Sequence, residues 1–127
     1  MIKILLVDDE VFIRDNFAKF IESSGFSVCV ADSAEEALEV FKNEKPDVVF
    51  LDLMLPDLDG DHLFSYFKEL DPFVEIYFIT GSDTVFTEKD AKELGAAGYL
   101  KKPVYRENLV KLLEEIKSKV ALSSAPV

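Results

Sequence analysis

Four polar groups stand where short apolar runs stop: Asp8-Asp9 after Ile4-Leu5-Leu6-Val7, Asp52 after Val48-Val49-Phe50-Leu51, Thr80 after Ile76-Tyr77-Phe78-Ile79, and Lys101-Lys102-Pro103 after Ala97-Gly98-Tyr99-Leu100. If those runs share one sheet, acids, a hydroxyl and a cation gather along one rim. Carboxylates about 5 Å apart repel by roughly 3 kcal/mol per pair at an effective dielectric near 20, so such a site keeps protons or holds a cation. Mg²⁺ suits it: the ion accepts a few carboxylates, keeps several waters and can add oxygens from a bound phosphoryl group, whereas Ca²⁺ wants more protein oxygens than these positions offer. A carboxylate beside such an ion is also an oxygen nucleophile toward phosphorus, giving an acyl phosphate. Asp52 is the candidate nucleophile. It stands alone at its strand end, and Leu53-Met54-Leu55-Pro56 with the turn-forming Asp57-Leu58-Asp59-Gly60 leaves its side chain facing an open loop. Lys102 can bring positive charge to one phosphoryl oxygen, and the Thr80 hydroxyl can donate to another.

Unbroken apolar runs alternating with helical patterns read as strands buried on both faces of a parallel sheet, which binds ligands beyond its strand C-termini. Strands are expected near 2–7, 27–31, 48–52, 74–80 and 97–100, and helices near 11–24, 34–44, 60–70, 84–94 and 105–120. The class is α/β: a doubly wound, flavodoxin-like, five-stranded parallel sheet in the order 2-1-3-4-5 with five helices in a three-layer sandwich, which makes the first and third strands neighbours. Ile13, Phe17, Phe20 and Ile21 stripe the first helix, and Gly25 follows where a left-handed residue is needed. Ser33 and Glu36 are spaced to cap each other's amides ahead of Ala34, Ala37, Leu38 and Phe41. Leu63, Phe67 and Leu70 stripe the third helix, and Leu109, Leu112, Leu113, Ile116 and Val120 the last. The fourth is the least amphipathic, with Val85 or Phe86, Ala91 and Leu94 as its core positions, and is expected to be the most mobile.

The 127 residues, 49% of them hydrophobic, suffice for one domain with a real core, here 1–120, followed by a flexible tail or linker over 121–127. Twenty-five acidic residues against 14 basic give a net charge of −11, which repels phosphate backbones and anionic lipid and argues against direct nucleic-acid binding. Cys29, the sole cysteine, excludes a disulfide or thiolate cluster within the chain and reads as a buried core thiol. With no leader pattern and no apolar run near the roughly 18 residues of a membrane span, a cytoplasmic location is expected.

Taken together, the chain resembles the receiver domain of two-component response regulators over Ile2 to Val120. The resemblance rests on Asp8-Asp9, on Asp52-Leu53-Met54-Leu55-Pro56-Asp57-Leu58-Asp59-Gly60, on Thr80-Gly81, and on Gly95-Ala96-Ala97-Gly98-Tyr99-Leu100-Lys101-Lys102-Pro103. It implies that Asp52 accepts a phosphoryl group from the phosphohistidine of a sensor histidine kinase or histidine phosphotransfer protein. It also implies Mg²⁺ held by Asp8 or Asp9 with Asp52 and the Met54 backbone carbonyl, while Thr80 and Lys102 grip the phosphoryl oxygens. Tyr99 takes the place of the family's switch aromatic, and the Lys102-Pro103 bond is expected to be cis. The fourth helix, last strand and last helix, near Phe86, Tyr99, Val104 and Tyr105, would form the surface for a downstream protein or output domain. Such a chain is a regulator that catalyses only its own phosphorylation and dephosphorylation.

Two positions depart from the commoner pattern: Gly81 stands where alanine is usual, and Tyr105 occupies the cap position of the last helix. His62 reads as a solvated surface residue, Glu10 as an exposed helix-start acid favoured by the helix dipole, and the Met54 side chain as a group at the mouth that tunes water access to the acyl phosphate. A flavodoxin-like electron carrier would need a hydroxyl- and glycine-rich loop after the first strand, where this chain is acidic. The main alternative is a haloacid-dehalogenase-like Mg²⁺-dependent phosphohydrolase, whose nucleophile motif has a second Asp two residues on; here those places hold Glu10 and Met54.

Overall fold

A computed structural model describes residues 1–81 and 86–123, the last four of these by backbone only. Val85, the Val120 side chain and the tail beyond Ser123, all named above, lie outside the described residues or atoms. The elements run β1 (Lys3–Val7), α1 (Val11–Ser23), β2 (Ser27–Ala31), α2 (Ala34–Glu44), β3 (Val48–Asp52), α3 (Gly60–Leu70), β4 (Glu75–Thr80), α4 (Glu88–Leu94), β5 (Gly98–Lys101) and α5 (Arg106–Ser123). The strands are parallel in the order β2-β1-β3-β4-β5.

Side chains alternate across each strand, so the sheet feeds two cores. Ile4, Leu6, Val48, Phe50 and Ile79 pack with Ile21 of α1 and Leu109, Leu113 and Ile116 of α5. Leu5, Val7, Val49, Leu51, Ile76 and Phe78 pack with Ala37 and Phe41 of α2, Leu63 and Phe67 of α3, and Ala91 of α4. These are the three expected layers. The central strands β1, β3 and β4 are buried almost throughout, whereas the edge strands β2 and β5 are only partly covered. Cys29 is on an edge strand, and its thiol is therefore half-buried rather than enclosed, although burial still pushes its pKa up.

Several helix boundaries differ from the sequence expectation for identifiable reasons. Leu70 is 48% exposed, lining a groove beside Phe41, Lys42 and Lys45, and Phe64 takes the core position instead. α4 starts at Glu88, later than expected, because Thr87 and Asp90 form a reciprocal capping box. α5 continues past Val120 to Ser123. Ser33 caps Glu36 as expected, but the Glu36 carboxylate accepts from the amide of Asp32 rather than returning to Ser33. The amides of Ala34 and Glu35 donate instead to the Asp57 carboxylate, at 2.8 and 3.0 Å, tying the loop after β3 to the start of α2. Those two bonds hold the Asp57 carboxyl below its ordinary pKa.

Gly60 closes that loop. Its amide donates to the Leu53 carbonyl at 2.7 Å, and a Cβ there would lie 2.7 Å from the Leu53 Cα and 2.8 Å from the Asp52 carbonyl oxygen. Both obstacles are backbone, so Gly60→Ala must push α3 away from the end of β3. We expect a loss of about 1–3 kcal/mol, read as a lower urea midpoint with an unchanged slope. A midpoint equal to that of the unsubstituted protein would contradict this packing.

Candidate functional site

The register of the sheet explains why residues far apart in sequence meet. Val7 lies level with Leu51, so Asp8 and Asp52 are the next positions on adjacent strands. Asp52 is level with Ile79, and Thr80 with Lys101, so the rim advances by one residue from β3 to β4 and again to Lys102. The Lys102 amide donates to the Thr80 carbonyl at 2.7 Å, fixing that last step, and the Lys102–Pro103 peptide is cis. Asp8 and Asp52 continue the alternation of Leu6 and Phe50 toward α1 and α5; Thr80 continues that of Phe78 toward α3 and α4.

The Lys102 ammonium sits among three carboxylates. Its Nζ is 2.9 Å from Glu10 Oε1, 3.0 Å from Asp8 Oδ2 and 3.3 Å from Asp52 Oδ2. Asp8 is fully buried and Asp52 is 5% exposed. One oxygen of each is anchored by backbone: Asp8 Oδ1 accepts from the Glu10 amide at 2.9 Å, and Asp52 Oδ1 from the Met54 amide at 3.0 Å. Asp8 Oδ2 is less well served. It touches the ammonium as a charge contact but has no hydrogen bond of good alignment. Among the described residues, oxygens of Asp8, Glu10 and Asp52 approach within 4.8 Å of one another, while Asp9 is exposed and outside that trio.

Burial is the main reason the Asp52 carboxyl is raised to about 6, with the negative Asp8 adding to it; the Met54 amide and Lys102 pull the other way. For Lys102 burial opposes the charge, yet the hydrogen bond to Glu10, the close Asp8 contact and the field of Asp52 prevail and raise its pKa above the ordinary lysine value. The centre is thus short of positive charge, which is the condition under which a divalent cation binds.

Thr80 is fully buried, and its hydroxyl donates to the Gly81 carbonyl at 3.3 Å. Phe78 is level with Tyr99, so Thr80 and Tyr99 lie on the same side of the sheet. Tyr99 is half-buried and donates its hydroxyl to the Phe86 carbonyl at 2.7 Å. A row of rings, Phe64, Phe78, Phe86 and Tyr99, with neighbouring centroids 5.5, 5.2 and 6.3 Å apart, links α3 through β4 to β5. Phe86 therefore belongs to the core packing, whereas Tyr105 is 61% exposed.

The structure brings together Asp8, Asp52 and Lys102, with Thr80 adjoining through the Lys102 backbone. It leaves Asp9 and the Met54 side chain at the surface, the latter 68% exposed. The sequence reading missed Glu10 as a member of this group. Glu10 does start α1, but its carboxylate also reaches Lys102, because the Asp8 side chain bonds the Glu10 amide and turns the chain over the rim. His62 is exposed, as expected, with Nδ1 3.7 Å from Asp61.

A family model for the response regulator receiver domain matches residues 4–114. The chain belongs to that family. This receiver domain is 40% identical over 101 residues to the alkaline phosphatase synthesis transcriptional regulatory protein PhoP of Bacillus subtilis, a match covering 80% of the chain and 42% of that protein. It is 30% identical over 125 residues to the response regulator MprA of a Mycobacterium species, covering 98% of the chain and 54% of that protein. The chain thus spans about half or less of the length of these curated relatives. Among solved structures it resembles a receiver domain protein from Clostridium thermocellum, with TM-score 0.87, 30% identity and coverage of 96% and 98% of the two chains. It also resembles the receiver domain of AraT, a response regulator from Geobacillus stearothermophilus, with TM-score 0.88, 32% identity and coverage of 97% and 98%. Receiver domains of response regulators are signalling parts of two-component systems, and the match does not favour the phosphohydrolase alternative. No helix among the described residues is long and apolar enough to cross a membrane.

Proposed function

We propose that this receiver domain, residues 1–120 with α5 running on to Ser123 into the tail or linker of 121–127, is a phosphorylation switch in which Asp52 is the acceptor. The observation that carries the proposal is the buried Asp8–Asp52 pair, balanced by one lysine and with Asp8 Oδ2 lacking an aligned donor. That donor set fits a hard divalent cation. Mg²⁺ would be held by Asp8, Asp9, Asp52 and the Met54 backbone carbonyl, and when bound it supplies the positive charge that offsets crowded oxygens. An Asp52 oxygen attacks the phosphorus of a phosphohistidine presented by a sensor histidine kinase or histidine phosphotransfer protein. The P–N bond breaks, the imidazole leaves with its electron pair, and an acyl phosphate remains on Asp52. Lys102 then turns from the carboxylates to a phosphoryl oxygen, and the Thr80 hydroxyl turns from the Gly81 carbonyl to another.

Two such charge-assisted bonds, each worth about 1.5–3 kcal/mol, suffice to invert a conformational equilibrium poised within a few kcal/mol. Because Thr80 and Tyr99 share a sheet face, a shift of Thr80 is felt at Tyr99 and along α4, β5 and α5. A groove of about 850 Å³ there, lined by Tyr99, Val104, Tyr105 and Lys111 among others, offers a surface to a downstream protein or output domain. No direct contact with nucleic acid or membrane is part of this reading, and a cytoplasmic location goes with it.

The test is incubation with Mg²⁺ and acetyl phosphate followed by intact-mass measurement. The unsubstituted protein gains one phosphoryl group and Asp52→Ala gains none; labelling that survives the substitution rejects Asp52 as acceptor. Multiple-turnover hydrolysis of a phosphomonoester would favour the phosphohydrolase instead.

A further inference from the structure

We infer that Glu10 is a positioning residue that latches Lys102 across the mouth of the site and slows phosphorylation until the latch is displaced. The inference rests on the reading of Asp52 as acceptor and adds to it a residue with no part in the chemistry described above. Of the three carboxylates around Lys102, Glu10 makes the shortest contact, 2.9 Å, and it is the only exposed member, with 54% of its side chain open to solvent. It stands at the N-cap of α1, on the outer side of the rim, where its amide donates to the Asp8 carboxylate. The ammonium is therefore pulled outward by Glu10 and inward by Asp8 and Asp52. A phosphoryl group arriving on Asp52 draws that ammonium inward, against the pull of Glu10, so the Glu10 bond holds Lys102 back from the new oxygens. Half-exposed ion pairs are weak, which makes the latch reversible and its effect modest.

The experiment measures the rate of labelling by acetyl phosphate at saturating Mg²⁺ for the unsubstituted protein, Glu10→Gln and Asp59→Asn. Asp59→Asn removes one charge from the exposed loop after Asp52 without touching any of the Lys102 pairs. A latch predicts that Glu10→Gln is labelled about two- to fivefold faster, a gain of the size expected for one partly exposed pair. Asp59→Asn stays at the unsubstituted rate. An unchanged or slower rate for Glu10→Gln overturns the inference. Equal acceleration in Asp59→Asn assigns the effect to the general field of the mouth and overturns it too. Absence of labelling in the unsubstituted protein is a different result: it removes the acceptor reading itself. Melting temperatures of the three proteins within a few degrees show that the comparison is between folded chains.

Discussion

Asp52→Asn is expected to be more stable than the unsubstituted protein by about 2 kcal/mol at pH 7.5 in EDTA, near 7 °C in melting temperature, while losing all capacity for phosphorylation. The gain follows from burial. Asp52 is 5% exposed beside a second fully buried carboxylate, and its pKa is raised from the ordinary 3.8 to about 6. A carboxyl whose pKa is higher folded than unfolded binds its proton more tightly in the native state, so ionising it costs stability. The cost is absent below pH 3.8, grows as pH rises to about 6, and is fully present above that. The amide keeps the shape of the carboxyl and can still accept from the Met54 N–H, but it carries no charge to repel Asp8. The excess stability of the variant should therefore open between about pH 4 and pH 6 and be flat at higher pH. Urea titrations across that range check it, and an Asn variant less stable than the parent at pH 7.5 would show that Lys102 compensates the burial fully.

Removing the cation should have the opposite sign and a comparable size. Lys102→Ala leaves Asp8 and Asp52 buried without their shared ammonium, at an expected cost of about 3 kcal/mol in EDTA. The same change removes the positive charge that a metal has to displace or tolerate, so Mg²⁺ affinity should rise on the order of tenfold and added Mg²⁺ should restore much of the lost stability. Denaturation with and without Mg²⁺, together with titration calorimetry, checks both halves. Weaker Mg²⁺ binding in Lys102→Ala would mean that the lysine and the metal do not compete for the same oxygens.

The sheet and the meeting of Asp8, Asp52 and Lys102 beside Thr80 were legible because each of these residues follows an apolar run by one or two positions, and strand ends in a parallel sheet fall along one edge. Asp8, Asp52, Thr80 and Lys102 were identifiable from that placement alone, before their register was known. What the pattern could not show are contacts made by long or exposed side chains between elements distant in sequence. Glu10 looks like any acid at a helix start, since nothing in its spacing reports a lysine 92 residues away. Asp57 looks like a turn residue, although its carboxylate caps α2. The late start of α4 was written in Thr87 and Asp90, a capping box hidden by apolar residues just before it. Leu70 falls outside the core because an apolar residue in the last turn of a helix can continue the stripe without having core beside it, while Phe64, outside the expected stripe, is buried.

The central claim is that one of two buried, metal-ready carboxylates forms an acyl phosphate. The most direct measurement treats the protein with acetyl phosphate and Mg²⁺, reduces it with borohydride, and maps the product by peptide mass spectrometry. The account predicts homoserine at position 52, the mark of an acyl phosphate reduced in place, and unmodified aspartate at positions 8 and 9. Homoserine at 8 or 9, or a label on a hydroxyl that borohydride leaves untouched, would contradict it.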